Sequence, residues 1–346
     1  MKVKISQIER LLTNAARTFV ADGEAKYFAK EQIDTHIKKS PRTNPLEAAV
    51  RDLEAWKGNK ERRIKIQVNK GSTLVINFNK LAPSLKLKYI HDQLEKRARK
   101  NGIAVVGINN SAGMHAMNLW ADGLGKRNLI GICFFNGGPR CVVPYGGTKG
   151  IFGTNPISYA IPTAEKPILV DMATSAIPFF ELRNAKEKAR QLKPNVIADK
   201  YGKSTTDPHK TFLGNNIKNM LPIGGDYKGS AMVLLVEILT GSLVRSLLAN
   251  EKSIEYIKNE LGGLLIAIDV SSFTNLNKFK RSVSKMCQDI RAQKPARSVK
   301  KVLVPGDNSY RRAAEILKQG TIKINKDLLK RLGALSLNPS SQNVVN

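Results

Sequence analysis

The sequence predicts an α/β fold, a layered core with helical segments at both ends, on three observations. Apolar residues recur at helical spacing near both termini, residues 64–78 alternate as a β-hairpin does, and between 103 and 135 a strand, a helix and a second strand follow one another. At 346 residues the chain can bury a substantial core and supports more than one domain.

Taken in order, Ile5, Ile8, Leu11, Leu12 and Ala15, then Phe28, Ile33 and Ile37 beyond the Asp22-Gly23 break, describe two amphipathic helices over 4–39, ended by Pro41 and Pro45. A short helix over 46–58 precedes IKIQVNKGSTLVINF, whose alternation predicts a hairpin turning near Lys70-Gly71. Residues 85–100 predict a charged helix closed by Asn101-Gly102. A strand over 103–108, a helix over 114–126 and a strand over 129–135 follow, then a Gly- and Pro-dense loop region over 137–153. Strands are expected over 158–161 and 168–171, and 185–220 reads as a polar insertion or long loop. The remainder predicts a buried helix over 234–247, a strand over 264–270, a helix over 279–291 and a helical tail over 310–335 broken at Gly320-Thr321.

Lys and Arg number 57 against 28 Asp and Glu, a net charge of +29 that would attract polyanions, anionic membrane surfaces and small anionic substrates alike. The cations are spread from Lys2 to Lys330, so charge alone names no partner. Nucleic acid stays open on runs such as Glu95-Lys96-Arg97-Ala98-Arg99-Lys100, but no stacking motif or recognition module accompanies them, and it is not favoured. Cys133, Cys141 and Cys287 are odd in number and lack CxxC spacing, which argues against disulfide and zinc frameworks and for a reducing cytoplasm. The charged N-terminus lacks the apolar core of a signal peptide, and the apolar stretch 231–244 contains Glu237 and is short for a membrane span.

No GxxxxGK[ST], HExxH or GxSxG is present, and His36, His91, His115 and His209 are too scattered to suggest a metal site. Gly123-Leu124-Gly125-Lys126-Arg127-Asn128 lies between a helix and a strand, the reverse of a dinucleotide fingerprint, and predicts a helix-to-strand turn. Three Gly-rich stretches remain: GGTKGIFGTNP (146–156), VDMATS (170–175) and LPIGGDYKGSAMVLLVEILTG (221–241). In the third, Gly224 and Gly225 allow close backbone approach, Lys228 adds a cation and a helix start offers amides to an anion; tight turns are the alternative. Asp171 is either a cap acting through Thr174 and Ser175 or a buried carboxylate that orients an active-site group.

The motifs GTNPIS, DMATS and GG-x-YKG followed by VEILTG, together with Thr205-Thr206-Asp207-Pro208, Ile268-Asp269 and VLVPGDNSYRRAAEILKQGTIKI, resemble in order and spacing the malate/L-lactate dehydrogenase family of NAD(P)-dependent oxidoreductases. The resemblance runs nearly end to end. It implies a mixed-sheet α/β core of the sulfolactate dehydrogenase-like type, without a classical dinucleotide fold, over 61–299, and a helical domain from 1–60 and 300–346. It also implies a homodimer, no membrane, and hydride transfer between NAD or NADP and a small anionic 2-oxo or 2-hydroxy acid or a cyclic imino acid. A catalytically divergent member with a binding or structural role is the alternative.

The family's proton donor stands in Asp-Ser-His-Gly, where this chain has Asp34-Thr35-His36-Ile37, so the resemblance makes His36 catalytic and places Thr35 at the substrate. An imidazole suits proton transfer because its ordinary pKa of about 6.5 lies near working pH. By the same resemblance Asp171 sits by the nicotinamide and His36, and Gly153, Thr154, Asn155, Thr174, Ser175, Gly224, Gly225 and Lys228 line the pocket. The family's Arg four residues after the His is Ser40 here, with Lys39 and Arg42 as possible substitutes. Its Asn-Ser-x-His-x-Gly at the nicotinamide becomes Asn110-Ser111-Ala112-Gly113-Met114-His115, which leaves Ser111 and a shifted His115 as cofactor candidates. AIPFFEL after DMATS and Asn79-Lys80-Leu81-Ala82 after the hairpin also depart from the family pattern.

Overall fold

The N-terminal periodicity resolves into β1 (Lys2–Lys4), α1 (Ile5–Arg17) and α2 (Asp22–Lys38) in a computed structural model that describes residues 1–39, 44–213, 216–251 and 260–337. Ile8, Leu12, Ala15 and Ala16 of α1 and Phe28, Ala29, Ile33 and Ile37 of α2 are buried, as one apolar stripe on each helix requires. Asn44 caps α3 (Pro45–Lys57) by accepting from the Glu47 amide at 3.3 Å, with Pro45 pre-set for the first turn.

The hairpin of β2 (Lys65–Lys70) and β3 (Thr73–Asn77) turns at Gly71, whose φ is +47°. Helix α4 (Leu87–Asn101) crosses over to β4 (Ile103–Ser111), and α5 (Asn118–Gly125) then leads to β5 (Leu129–Phe135), β6 (Ile157–Ile161) and β7 (Ile168–Met172). After α6 (Phe179–Glu187) come two short ladders: β8 (Ile197–Ala198) with β9 (Ser204–Thr205), and β10 (Phe212–Leu213) with β11 (Asn216–Ile217). Helix α7 (Tyr227–Thr240) precedes β12 (Leu261–Asp269), α8 (Leu276–Arg291), α9 (Asp307–Gln319), β13 (Thr321–Lys323) and α10 (Lys326–Ser336).

The main sheet runs β2-β3-β4-β12-β5-β6-β7, and only the β3–β4 pairing, joined by the α4 crossover, is parallel. Its central strand β12 enters between β4 and β5, and its LGGLLIAI run is read by close packing on both sides. A side chain at Gly262 would stand 1.8 Å from the Thr240 carbonyl, and one at Gly263 2.3 Å from Met114 Sδ, so these positions admit α7 and the 112–117 loop. One apolar cluster joins the terminal helices to this sheet; a second gathers Cys141, Val142, Leu182, Ile197, Met220 and Val233.

Four expectations are corrected. The helix expected over 114–126 starts only at Asn118, because Gly113 and His115 take φ values of +125° and +51°. The helix expected over 234–247 runs from Tyr227 to Thr240, started by Asp226, which accepts from the Gly229 amide at 3.1 Å, and it is not fully buried: Leu234, Leu235 and Ile238 face outward. The end of helix α6 and the short ladders organise part of the 185–220 stretch expected as a polar insertion or long loop. The break at Gly320-Thr321 opens a strand, β13, that pairs antiparallel with β1 across nearly the whole chain.

Candidate active site

The last turn of α2 carries the site. Thr35 is buried, and His36 is partly buried with its Nδ1 shielded and without a hydrogen-bond partner. No anion lies close enough to offset the loss of solvent, so burial holds the His36 imidazolium down, to a pKa of about 4, and the ring is neutral above that. Lys39, one residue past the helix, pairs with Asp171 at the end of β7, and the same carboxylate oxygen accepts from the Asn118 amide at 2.9 Å. Asp171 thereby ties the end of α2 to the start of α5, while Thr174 and Ser175 bond elsewhere. Arg42 lies outside the described residues, as does Ser40.

His36 and Lys39 open on a cavity of about 490 Å³. Its walls also bring Lys2 from β1, Arg312 and Ile316 from α9, and Lys323 from β13. Arg312 donates to the Lys38 carbonyl at 2.8 Å, meeting one of the unpaired acceptors at the end of α2.

Behind this wall sits a buried ionic network. Lys38 reaches Asp34 and Asp122, and Lys126 reaches Glu31 at 2.7 Å, Asp34 at 2.7 Å and Asp122 at 3.1 Å. Burial works against the Asp34 carboxylate, but Lys126 and Lys38 outweigh it and hold its pKa well below the usual range. Tyr310 donates to Asp122 at 3.2 Å while Lys38 lies over its ring. The carboxylates of Glu31, Asp34 and Asp122 converge as metal ligands would, but the two ammonium groups fill that place. The sequence offered one signal for this network: Asp122 is the lone charge in the apolar run NLWADGLG.

The three Gly-rich stretches come together. Thr154 donates its amide to the Gly137 carbonyl at 3.0 Å, and a side chain at Gly153 would lie 2.3 Å from that oxygen. Asn155 is fully buried and donates to Glu237 on α7 at 2.7 Å, leaving its own Oδ1 unpartnered. Thr174 Oγ1 donates to the Asn155 carbonyl at 2.8 Å, and Ser175 Oγ to Ile177. Gly224 and Gly225 take φ of +77° and +68° before α7, and Lys228 is exposed, but the Asp226 carboxylate already occupies part of that helix start. Glu237, visible in the sequence as a lone carboxylate in an apolar helix, is therefore the strut between the GTNP loop and α7; its other oxygen accepts from the Ala249 amide at 2.6 Å.

Ser111 and His115 are engaged otherwise. Ser111 Oγ donates to the Leu261 carbonyl at 3.0 Å. His115 Nε2 lies 2.8 Å from Asp52, whose other oxygen accepts from Ser84; burial disfavours the charged ring, but the Asp52 carboxylate outweighs it and raises the His115 pKa.

Residues 25–333 match the malate/L-lactate dehydrogenase family. A malate/(S)-sulfolactate dehydrogenase of Methanothermus fervidus is 33% identical over 273 residues, 78% of this chain and 77% of that protein. An NAD(+) ureidoglycolate dehydrogenase of Escherichia coli O157:H7 is 26% identical over 279 residues, 79% of this chain and 77% of its own. The structure of sulfolactate dehydrogenase from Methanocaldococcus jannaschii superposes with a TM-score of 0.82 at 25% identity, over 97% of this chain and 96% of that one.

Proposed function

The chain belongs to the malate/L-lactate dehydrogenase family, and from that premise we propose that it is an NAD(P)-dependent oxidoreductase acting on a small 2-oxo or 2-hydroxy acid, with a cyclic imino acid as the second substrate class. The observation that carries this reading is a neutral, unpartnered His36 opening on a cation-lined cavity beside the Lys39–Asp171 pair. Two buried polar atoms here lack complements, His36 Nδ1 and Asn118 Oδ1. A carboxamide and an oxo or hydroxyl group are complements of the right kind, so the residues present fit a nicotinamide with its substrate.

When bound, the nicotinamide supplies or accepts the hydride. His36 handles the proton at the substrate oxygen. As it stands it is the base for oxidising a hydroxy acid; for reduction it takes up a proton as the substrate's negative charge arrives, since a nearby anion favours the imidazolium. Lys39 and Asp171 fix the end of α2, and Thr35 backs the substrate side. Gly153, Thr154, Asn155, Thr174, Ser175, Gly224, Gly225 and Lys228 would hold the cofactor, with Lys228 the cation available to its phosphates.

We take the working unit to be a homodimer in the cytoplasm. The outward apolar side chains Met232, Leu235, Ile238 and Leu243 of α7 and its extension support a protein neighbour, and three buried free thiols suit a reducing compartment. The test is a titration with NADH and NADPH followed by nicotinamide fluorescence, then cofactor consumption with a panel of 2-oxo acids. Saturable binding and turnover are expected; binding of neither cofactor removes the reading.

A further inference from the structure

Two basic segments that take no part at His36 are anchored on the same turn. Helix α4 closes with Glu95-Lys96-Arg97-Ala98-Arg99-Lys100, and Arg99 donates to the Arg127 carbonyl at 2.7 Å. Helix α8 reaches the next residue, where Lys280 donates to Asn128 Oδ1 at 3.1 Å. The Asp269 amide donates to the Gly102 carbonyl at 2.9 Å, and a side chain at Gly102 would touch Ser272 at 3.4 Å, so the chain entering α8 runs against the end of α4. The acids at this junction are paired: Asp269 with Arg99, Asp92 and Glu95 with Arg127, and Asp289 with Lys285. Lys96, Lys100, Lys278 and Arg281 are exposed, and among the described residues their side chains have no ion-pair or hydrogen-bond partner. Phe273 stands between these two sets of cations, 73% exposed. The basic run of α4 has no stacking ring near it in the sequence; the fold brings one to it.

We propose that this surface binds single-stranded nucleic acid, with the cations following the phosphates and Phe273 stacking on a base. On α8, Lys278, Arg281 and Lys285 recur at spacings of three and four and share the outer side, while Phe279, Val283 and Cys287 turn inward. The apolar stripe of the helix is thus spent on the protein, and only Met286 among its large apolar side chains is exposed, which suits a strand of phosphates and not insertion into a bilayer. Stacking on one ring is open to any unpaired base, so the surface tolerates sequence; a duplex, whose bases are already stacked on one another, has no free face to give it. None of these residues lines the His36 cavity, so the second activity stands apart from the oxidoreductase reading.

The test follows fluorescence anisotropy of a labelled oligouridine titrated with the full chain, from about 50 to 200 mM salt. Affinity should fall steeply across that range, and Lys100→Gln and Lys278→Gln should each lower the logarithmic salt slope by about 0.7, the share of one phosphate contact on a single strand. Phe273→Ala should weaken binding about fivefold or more and keep the slope, with unchanged circular dichroism because the ring is exposed. Lys193→Gln, which removes an exposed cation after α6, should bind as the wild type does; an equal loss there would show attraction to diffuse charge only and overturn the surface. Tighter binding of a duplex, a neutral Phe273→Ala, or capture by vesicles of equimolar phosphatidylserine and phosphatidylcholine without binding of oligouridine overturns it as well. Saturating NADH should leave the affinity for oligouridine unchanged, and competition would move the strand to the cofactor site and remove this surface.

Discussion

His36 illustrates how one side chain acquires a role from its surroundings. Its neutrality comes from burial without a compensating anion, so the free protein holds a base ready down to a pH of about 4. For oxidation of a 2-hydroxy acid, kcat/KM should therefore stay level through neutral and mildly acid pH and fall only as pH approaches about 4. His36→Gln should lower kcat by about 10²- to 10⁴-fold while NADH fluorescence titrations keep their midpoint. Loss of cofactor binding instead would mark His36 as structural. Gly123 shows the opposite case, a glycine set aside as part of a helix-to-strand turn and kept small by packing. A side chain there would stand 2.2 Å from the His91 ring, which bridges Tyr27 at 2.8 Å and the Trp120 carbonyl at 2.9 Å. Gly123→Ala should cost about 1–3 kcal/mol in denaturant unfolding, the usual penalty for overpacking.

Among the elements, α2 and α7 are built for different jobs. Helix α2 is pinned from below by Lys38, buried between Asp34 and Asp122, so its last turn rests on a filled ionic network. Lys38→Met should destabilise the protein by about 1.5–3 kcal/mol, because it removes charge-assisted hydrogen bonds and leaves Asp34 and Asp122 to Lys126 alone; a change under about 1 kcal/mol would show that Lys38 is dispensable. Helix α7 buries Val233, Val236 and Glu237 and leaves Leu235 and Ile238 outside. On the proposed homodimer, replacing those two exposed residues by Lys should give monomers in light scattering where the wild type gives dimers, with unchanged circular dichroism; a monomeric wild type or an unchanged mass removes α7 as the seam. The sequence showed α7 as apolar throughout, and apolar periodicity cannot tell a side facing a core from a side facing another chain.

At the scale of the molecule, titration sets the acid limit. His36 and His91 are held by burial to pKa values of about 4 and about 3, below the unfolded value of 6.5. The unfolded chain therefore binds the extra protons, and stability present above pH 6.5 is lost as pH falls, by about 1.4 kcal/mol per pH unit for each ring until its folded pKa is reached. Melting temperature should fall steadily from pH 6.5 to 4. His115 works the other way: raised by Asp52, its contribution is present at acid pH and is lost as pH rises through its folded pKa. His115→Ala should cost stability at pH 6 and little at pH 9; equal losses at both would show that the Asp52 contact is not ionic.

Most local elements and the order of the motifs were legible within the sequence alone. Strand 129–135 and the hairpin at Gly71 were readable because alternation and turn chemistry are local properties, encoded within a few residues. Ordered motifs likewise carried the family and made His36 and Asp171 candidates. Which distant residues meet was set by the folded chain. Nothing in 261–269 says that it enters the sheet between strands ending at 111 and 135, and nothing in Thr321–Lys323 says that it pairs with Lys2–Lys4. The pairing of Lys39 with Asp171 and the arrival of Arg312 at the end of α2 follow from those closures. Contacts across more than a hundred residues are chosen by packing and register of the whole chain, and they bring His36 to a cavity lined by cations from both chain ends.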